Sequence, residues 1–276
     1  MGTKRKFWFD DNRRLFKQGR TGTGENWAEV GAASLAGDLG LPHARYGLAT
    51  YEGQQGVVTE NFVPSTGRLV FGNELVGIAT GATGLANNRR MAHTVRRIGA
   101  VVGHERVGLP PGWNSPIGAL LNAKEVMCGY LLLDALIGNQ DRHEENWGLL
   151  IHRGSITLAP TFDHASSLGR NESDETRLRK LETINPDHGM EGFARRAKTP
   201  IYGEGGARLG TIEAFSRFAE LTRDRGEFWL SRLQELDHDH MYNVLARVPD
   251  DWISPIARRF SVKLLETNRL RLLETL

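Results

Sequence analysis

The hydrophobic pattern of the chain changes abruptly near Gly138, where an apolar segment gives way to a polar loop. Residues 126–137 are almost all apolar, which predicts a helix that is buried on every side. Two short β-like runs, residues 147–151 and 156–158, follow the loop and predict a hairpin. Asp163 comes shortly after the second run. The predicted order is therefore a buried helix, a polar loop, a hairpin and an aspartate.

Shorter alternating patterns earlier in the chain predict a small β-rich unit with one helix. The cluster Asp11-Asn12-Arg13 is typical of a tight turn between two strands. Gly40 is typical of the end of a helix. The predicted elements are strands over residues 6–10 and 14–17, a helix over 26–39, and strands over 44–51 and 55–61.

From Arg68 onward the pattern becomes helical. Asn114 or Ser115, with Pro116 in the first turn, is predicted to cap the helix that leads to Gly138. Residues 170–211 are polar and rich in Gly, Arg and Glu, which predicts an irregular, mobile region. Further helices are predicted over residues 92–102, 211–223, 227–232, 238–247 and 254–276.

Four polar side chains flank the predicted hairpin and suggest chemistry: Asp141, His143, Asn146 and Asp163. Each alone is typical of a turn. Together, Asp141 and Asn146 have the D-x-x-x-x-N spacing of kinase catalytic loops. A carboxamide and a second carboxylate beyond a hairpin are suited to hold Mg²⁺ against phosphates. The ordered set predicts a phosphoryl-transfer site.

The same residues carry a family resemblance. The string LIGNQDRHEENWGLL, followed by ITLAPTFDHASSLG, resembles the core of HipA-like serine/threonine kinases, the toxin kinases of bacterial toxin–antitoxin systems. This resemblance implies an α+β, bilobal protein-kinase-like fold. Residues 1–62 would form a small β-rich N-lobe and residues 63–276 a mostly helical C-lobe. Asp141 would orient the acceptor hydroxyl, His143 would support the loop, and Asn146 and Asp163 would bind Mg²⁺.

The resemblance also implies roles for residues of the N-lobe. Lys17 would hold the nucleotide phosphates, although its position alone is typical of a solvated strand-end lysine. Glu29 would pair with Lys17, or it would form a capping box with the amide of Asn26. Glu60 and Phe62 are candidates for the hinge that meets the adenine, or they simply end an edge strand.

A loop that covers the phosphates is expected at Gly2, Thr3 and Lys4. The glycine-rich residues 18–24 follow Lys17, whereas the glycine loop of kinases precedes the lysine. This segment also lacks the spacing of the known phosphate-binding motifs. It is therefore interpreted as a flexible connector.

The resemblance implies a cytoplasmic, ATP- and Mg²⁺-dependent kinase that phosphorylates serine or threonine on a protein and also itself. The implied target is a translation factor or an aminoacyl-tRNA synthetase. An antitoxin is the implied partner, and contact with DNA would be indirect, through that antitoxin. The chain would be a compact form that lacks the additional N-terminal subdomain, which would be absent or supplied by a separate polypeptide.

Two other functions stay open. The D-R-H-x-x-N string also resembles the catalytic loop of phosphatidylinositol 3- and 4-kinases, which favours a lipid or small-molecule kinase. A non-catalytic nucleotide- or nucleic-acid-associated regulatory module is the second alternative. A basic run favours it, although such runs are more often solvated helix faces: Arg89, Arg90, His93, Arg96 and Arg97.

The composition is that of an ordinary soluble globular protein. The chain has 276 residues, 39% of them hydrophobic and 25% charged, and a formal net charge of +2. Its one cysteine, Cys128, falls in the apolar helix, which predicts a buried thiol in a reducing cytoplasm. No apolar run is long enough to span a membrane, so no membrane partner is expected.

Overall fold

The computed structural model describes most of the chain: residues 5–80, 93–116, 121–223 and 225–275. The phosphate loop predicted at Gly2, Thr3 and Lys4 lies outside these residues. The strands are β1 (Lys6–Phe9), β2 (Arg14–Gln18), β3 (Tyr46–Tyr51), β4 (Gln54–Glu60), β5 (Arg68–Phe71), β6 (Val107–Gly108), β7 (Gly148–His152), β8 (Ser155–Leu158), β9 (Lys198–Tyr202) and β10 (Arg208–Gly210).

The described helices include one long buried helix, α4. They are α1 (Glu25–Asp38), α2 (Gly72–Thr80), α3 (Val95–Val102), α4 (Ala123–Ile137), α5 (Asp174–Glu182), α6 (Met190–Arg195), α7 (Thr211–Ala219), α8 (Arg225–Gln234), α9 (His238–Ala246) and α10 (Pro255–Leu273), with a short 3-10 turn at Glu220–Thr222. None of the described helices is long and apolar enough to cross a membrane.

The N-terminal sheet has four antiparallel strands in the order β1-β2-β4-β3. The predicted first hairpin is confirmed, with Phe7 opposite Phe16 and Lys6 opposite Lys17. Its turn passes through three consecutive residues with positive φ, an Asp-Asp-Asn sequence that tolerates the left-handed region. Helix α1 packs on strands β3 and β4.

Helix α1 begins without a side-chain cap. Gly24 occupies the cap position, and no side-chain hydrogen bond is made there. The alternative of a capping box between Asn26 and Glu29 is therefore wrong. Glu29 is buried and its carboxylate is directed to another part of the chain.

The second sheet has four strands in the order β5-β7-β8-β6, and β6 runs parallel to β8. The predicted hairpin is confirmed as β7 and β8, with Ile151 opposite Ile156. Strand β5 was predicted as the start of a helical region, which is wrong. Arg68 pairs with Ile151, a partner far along the chain that local pattern does not reveal.

Helix α4 is the centre of the core, as its all-round apolar pattern predicted. Helices α1, α3, α7, α8 and α10 pack against it. The helix starts later than expected, because Asn122 and Glu125 form the capping box rather than Asn114 or Ser115. Gly138 ends it in the left-handed conformation, with φ of 62°. Cys128 is a buried free thiol, and burial raises its pKa to about 12.

The region between residues 170 and 211 is ordered, so its prediction as an irregular segment is wrong. It contains helices α5 and α6 and the β9–β10 hairpin. The contacts that hold it are distant in sequence: Arg177 lies over the ring of Trp27 at 5.8 Å, and Phe193 packs on Phe260 at 5.2 Å. The polar composition of the region gave no indication of these anchoring side chains.

The basic run is split between the surface and the interior. Arg96 and Arg97 are exposed on α3, but His93 is buried, which contradicts its placement on a solvated face. Arg89 and Arg90 lie outside the described residues. The α+β class with a kinase-like arrangement of sheet and helices is confirmed. The lobe boundary at residue 62 stays a prediction.

Gly129 lets α4 pack closely on its neighbours. A Cβ atom there would lie 2.5 Å from Leu41 Cδ2 and 2.6 Å from Trp229 Cε2. We expect Gly129→Ala to lower the free energy of unfolding by about 1–3 kcal/mol, because overpacking strains the core. Denaturant titration measures this change.

Gly77→Ala is the matched control, because a Cβ atom at this position of α2 would meet none of the described residues within 4 Å. It should leave stability unchanged or raise it by up to about 1 kcal/mol, the helix-propensity gain of alanine. Equal effects of the two substitutions would contradict the close packing at Gly129.

Candidate functional site

A buried ion pair supports the polar loop, residues 138–147. Arg142 Nε donates to Asp134 Oδ2 at 2.7 Å, and Nη2 donates to Asp134 Oδ1 at 2.8 Å. The guanidinium also donates to the carbonyl of Asn146 at 2.6 Å and to the hydroxyl of Thr161 at 3.0 Å. Burial alone would lower the pKa of Arg142, but the carboxylate of Asp134 raises it above its ordinary value.

Asp141 stands next to this buried pair and is half-exposed. Its amide donates to Asn139 Oδ1 at 3.1 Å, and Asn139 Nδ2 in turn donates to Asp134 Oδ1 at 2.8 Å. Its carboxylate Oδ2 accepts a hydrogen bond from Ser166 Oγ at 3.3 Å. The backbone of Asp141 is thus held by the loop, and its carboxylate is held from the segment beyond Asp163.

Asn146 and His143 complete the loop. Asn146 Nδ2 donates to the carbonyl oxygen of Asp141 at 2.6 Å. His143 Nδ1 accepts from the amide of Glu145 at 3.0 Å, and its Nε2 lies 3.9 Å from Asp141 Oδ1. These contacts keep both ends of the D-x-x-x-x-N segment together.

A buried histidine anchors the residue that follows Asn146. Trp147 Nε1 donates to His93 Nε2 at 2.9 Å, so the proton of the imidazole sits on Nδ1, which donates to the carbonyl of Pro200 at 2.9 Å. Burial lowers the pKa of His93, which keeps this ring neutral at neutral pH. The contact ties the loop to strand β9.

The second aspartate meets the lysine of strand β2. Lys17 Nζ lies 3.3 Å from Asp163 Oδ2. Asp163 has φ of 60°, and its amide donates to the Tyr46 hydroxyl at 3.3 Å. Burial alone would lower the pKa of Lys17, but the carboxylates of Asp163 and Glu29 raise it above its ordinary value. Lys17 is therefore an ammonium at neutral pH.

Glu29 holds the backbone directly after Asp163. Its carboxylate accepts from the amides of His164 at 2.7 Å and Ala165 at 3.1 Å. The imidazole Nδ1 of His164 lies 3.6 Å away. Glu29 thus acts on Lys17 through its charge, and the close ion pair of Lys17 is with Asp163.

The two hinge candidates lie at the end of β4. Glu60 is exposed and is opposite Arg14 in the sheet. Phe62 packs on Phe162 with 5.5 Å between ring centroids. Glu60 borders a cavity of about 710 Å³ that also involves the turn of the first hairpin.

Three other cavities surround the central residues. The Lys17 cavity, about 270 Å³, is lined by Lys17, Glu29 and Asp163 among others. Asp141 borders two more: the Ser166 cavity of about 410 Å³ and the His143 cavity of about 320 Å³. Asp163 and Lys17 therefore share a cavity, while Asp141 opens onto the neighbouring ones.

The predicted Mg²⁺ ligands, Asn146 and Asp163, do not line a common cavity among the four described above. Among the described residues, no group of three or more His, Cys, Asp and Glu could hold an ion by itself. Mg²⁺ is commonly bound by one or two protein oxygens together with phosphate oxygens and water. Asp163 lines the Lys17 cavity, whereas Asn146 is buried and donates to the carbonyl oxygen of Asp141. Joint binding of Mg²⁺ by Asp163 and Asn146 stays a prediction.

Sequence reasoning missed the residues that hold these groups. The ion pair between Arg142 and Asp134 was not predicted. The available signal was Asp134 itself, a carboxylate within an apolar helix, because buried charges require partners. The contact of Ser166 had no comparable signal, since serine pairs are common in loops.

The two sheets, the central helix and the loop with Asp141 define a kinase-like fold of the HipA type. The chain is similar in structure to the Helicobacter pylori proinflammatory kinase CtkA. The TM-score is 0.74 and the identity 17%, and the match covers 99% of this chain and 94% of CtkA.

It is also similar to HipA of Shewanella oneidensis, solved in a toxin–antitoxin complex with HipB and operator DNA. The TM-score is 0.60 and the identity 13%, over 98% of this chain. The chain spans 64% of the length of that HipA. Comparison with protein-family models found no match, and comparison with curated proteins found none either. At these identities the likeness shows the fold.

The Asp134–Arg142 pair generates a stability prediction. Asp134→Ala should lower the free energy of unfolding by about 3–5 kcal/mol, because it leaves the buried guanidinium uncompensated. Denaturant titration measures the change. Asp251→Ala is the control at an exposed position, where the effect should stay within about 0.5 kcal/mol. A loss at Asp134 as small as that of the control would show that the pair does not support the loop.

Proposed function

We propose that this protein transfers the terminal phosphoryl group of ATP, with Mg²⁺, to serine or threonine hydroxyls of a protein. The observation that carries this proposal is the 3.3 Å contact of Lys17 with Asp163. It joins a cation of the N-terminal sheet to a carboxylate that follows the β7–β8 hairpin. Phosphates and a metal ion require that combination of charges.

The residues have complementary roles in this proposal. Lys17 binds phosphate oxygens, and its raised pKa keeps it charged for this purpose. Mg²⁺, when bound by Asp163 and Asn146, supplies positive charge against the phosphates. Glu29 fixes the Asp163 segment through two backbone amides. Glu60 and Phe62 are the proposed contacts for the adenine end.

Asp141 orients the acceptor and takes its proton. The hydroxyl oxygen bonds to the terminal phosphorus, the bond from that phosphorus to the bridging oxygen of ADP breaks, and the hydroxyl proton passes to the Asp141 carboxylate. The two cavities beside Asp141 give an acceptor access to this carboxylate. His143 supports the loop through its contact with the Glu145 amide.

One similar structure supports a proposal for an antitoxin partner. The HipA neighbour was solved with its antitoxin HipB and operator DNA. For this chain we propose an antitoxin partner, DNA contact only through that antitoxin, and a translation factor or aminoacyl-tRNA synthetase as target. The buried thiol of Cys128 supports action in a reducing cytoplasm. Autophosphorylation is part of the same proposal.

Two aspartate variants test the assigned roles separately. Asp163→Asn should abolish the rise in melting temperature caused by Mg²⁺ and ATP, because it removes a metal ligand. Asp141→Asn should keep that rise but lose phosphoryl transfer by about 10²–10⁴-fold, the usual contribution of a general base. Thermal denaturation and incorporation of labelled phosphate measure the two effects.

Asp251→Asn, at an exposed position, is the control and should behave like the wild type. Labelled ATP should be offered with lysate protein and, separately, with inositol lipids. Labelling of lipid alone would favour the lipid-kinase alternative. A protein that shows neither a thermal shift nor transfer would refute the proposal and favour a non-catalytic module. Mass spectrometry after incubation with ATP and Mg²⁺ detects autophosphorylation.

A further inference from the structure

We propose that Ser166 is a positioning residue that holds the carboxylate of Asp141. Arg170 and Glu25 connect this contact to the start of helix α1. The proposal rests on the phosphoryl transfer proposed above and names residues of that site to which neither the sequence nor the comparisons assign a role.

Ser166 contacts the loop of Asp141 twice. Its hydroxyl donates to Asp141 Oδ2 at 3.3 Å, and its carbonyl oxygen accepts from the amide of Gln140 at 3.2 Å. The side-chain contact sets the rotation of the carboxylate, and the backbone contact sets the distance between the two segments. A carboxylate that orients a hydroxyl depends on such fixed geometry.

A chain of charged side chains continues from Ser166 to helix α1. Arg170 Nη2 donates to Ser166 Oγ at 3.0 Å, and Arg170 Nη1 forms an ion pair with Glu25. Glu25 is almost fully buried and also pairs with Arg20 at 3.3 Å. The two guanidiniums compensate the burial of this carboxylate.

The backbone makes the same connection. The amide of Gly24 donates to the carbonyl oxygen of Arg170 at 2.9 Å, directly before helix α1 begins. The amide of Arg20 donates to Glu25 Oε2 at 3.1 Å. The connector after Lys17 is therefore fastened to the segment that holds Asp141.

Buried contacts anchor the turn between Ser166 and Arg170. Leu168 and Gly169 have φ of 55° and 68°, and a Cβ atom at Gly169 would lie 2.4 Å from Phe260 Cε1. Leu168 is buried, its amide donates to the carbonyl of Ile137 at 2.9 Å, and its carbonyl accepts from the Ser261 hydroxyl at 3.0 Å. These contacts fix the position of the turn, and therefore of Ser166, relative to helices α4 and α10.

This cluster lies between the Lys17 cavity and the Ser166 cavity. Glu25 lines the Lys17 cavity, whereas Arg20 and Arg170 line the Ser166 cavity. Ser166 and Asp141 both line the Ser166 cavity, one of the two cavities through which the acceptor is proposed to reach Asp141. Its loss should therefore affect turnover more than the apparent affinity for ATP.

The test compares variants at Ser166 in steady-state kinetics of the full chain. Ser166→Ala should lower kcat about tenfold and leave the KM for ATP within about twofold, because the carboxylate loses its orientation. Ser166→Thr keeps the hydroxyl and should restore kcat to within about threefold of the wild type. Arg170→Lys should lower kcat in the same direction as Ser166→Ala.

Ser231→Ala and Arg179→Lys are matched controls on exposed helix surfaces and should leave kcat unchanged. A kcat of Ser166→Ala within about twofold of the wild type would overturn the proposal. So would phosphate found on Ser166 of the active protein by peptide mass spectrometry, since the hydroxyl would then be a phosphorylation site.

Hydrogen exchange provides a measurement that needs no activity. The amides of residues 139–146 should exchange faster in Ser166→Ala and Arg170→Lys than in the two controls, because the loop loses its outer support. Unchanged exchange in both variants would overturn the positioning role. If the wild type transfers no phosphate to any acceptor, the proposed function fails, and this measurement still decides whether Ser166 holds the loop.

Discussion

The arrangement of the candidate site depends on one buried ion pair, Asp134 with Arg142. A carboxylate in the last turn of an apolar helix must find a charged or hydrogen-bonding partner, because isolated buried charges are very costly. Arg142 meets this requirement and uses its other donors on Asn146 and Thr161. The end of α4, the polar loop and the segment before Asp163 are consequently fixed relative to one another.

The pair also explains why neighbouring residues in the loop have different surroundings. Arg142 is directed inward, while the adjacent Asp141 remains half-exposed and borders two cavities. In the proposed function Asp141 contacts the acceptor, and its neighbour Arg142, held in the interior, would limit its motion. Lys17 and Glu29 contribute from the N-terminal sheet and helix, so the site is complete only when both parts of the chain are folded.

The parts of the site that are local in sequence could be predicted, and the distant parts could not. The buried helix, the hairpin and the order of Asp141, Asn146 and Asp163 follow from periodicity and spacing within about 40 residues. The pairing of β5 with β7 and the ordered region after residue 170 depend on contacts between distant residues. The role of Glu29 could not be predicted for the same reason. From the sequence, a capping box was as plausible as a pairing with Lys17. The structure shows instead that its carboxylate accepts from the amides of His164 and Ala165.

The carboxylates of the Lys17 cavity bear on the proposed use of Mg²⁺. Asp163 and Glu29 line this cavity with Lys17, and Asp141 lies in the adjoining loop. The triphosphate of a nucleotide carries several negative charges, so entering this cavity would bring it close to carboxylates that repel it. Three cationic side chains and three carboxylates line the cavity: Arg5, Lys6, Lys17, Glu25, Glu29 and Asp163. Lys17, the cation nearest Asp163, is already paired with it. In the proposed function, Asp163 would hold Mg²⁺, whose positive charge would offset the repulsion, so this carboxylate would favour the complex of nucleotide and metal over the nucleotide alone.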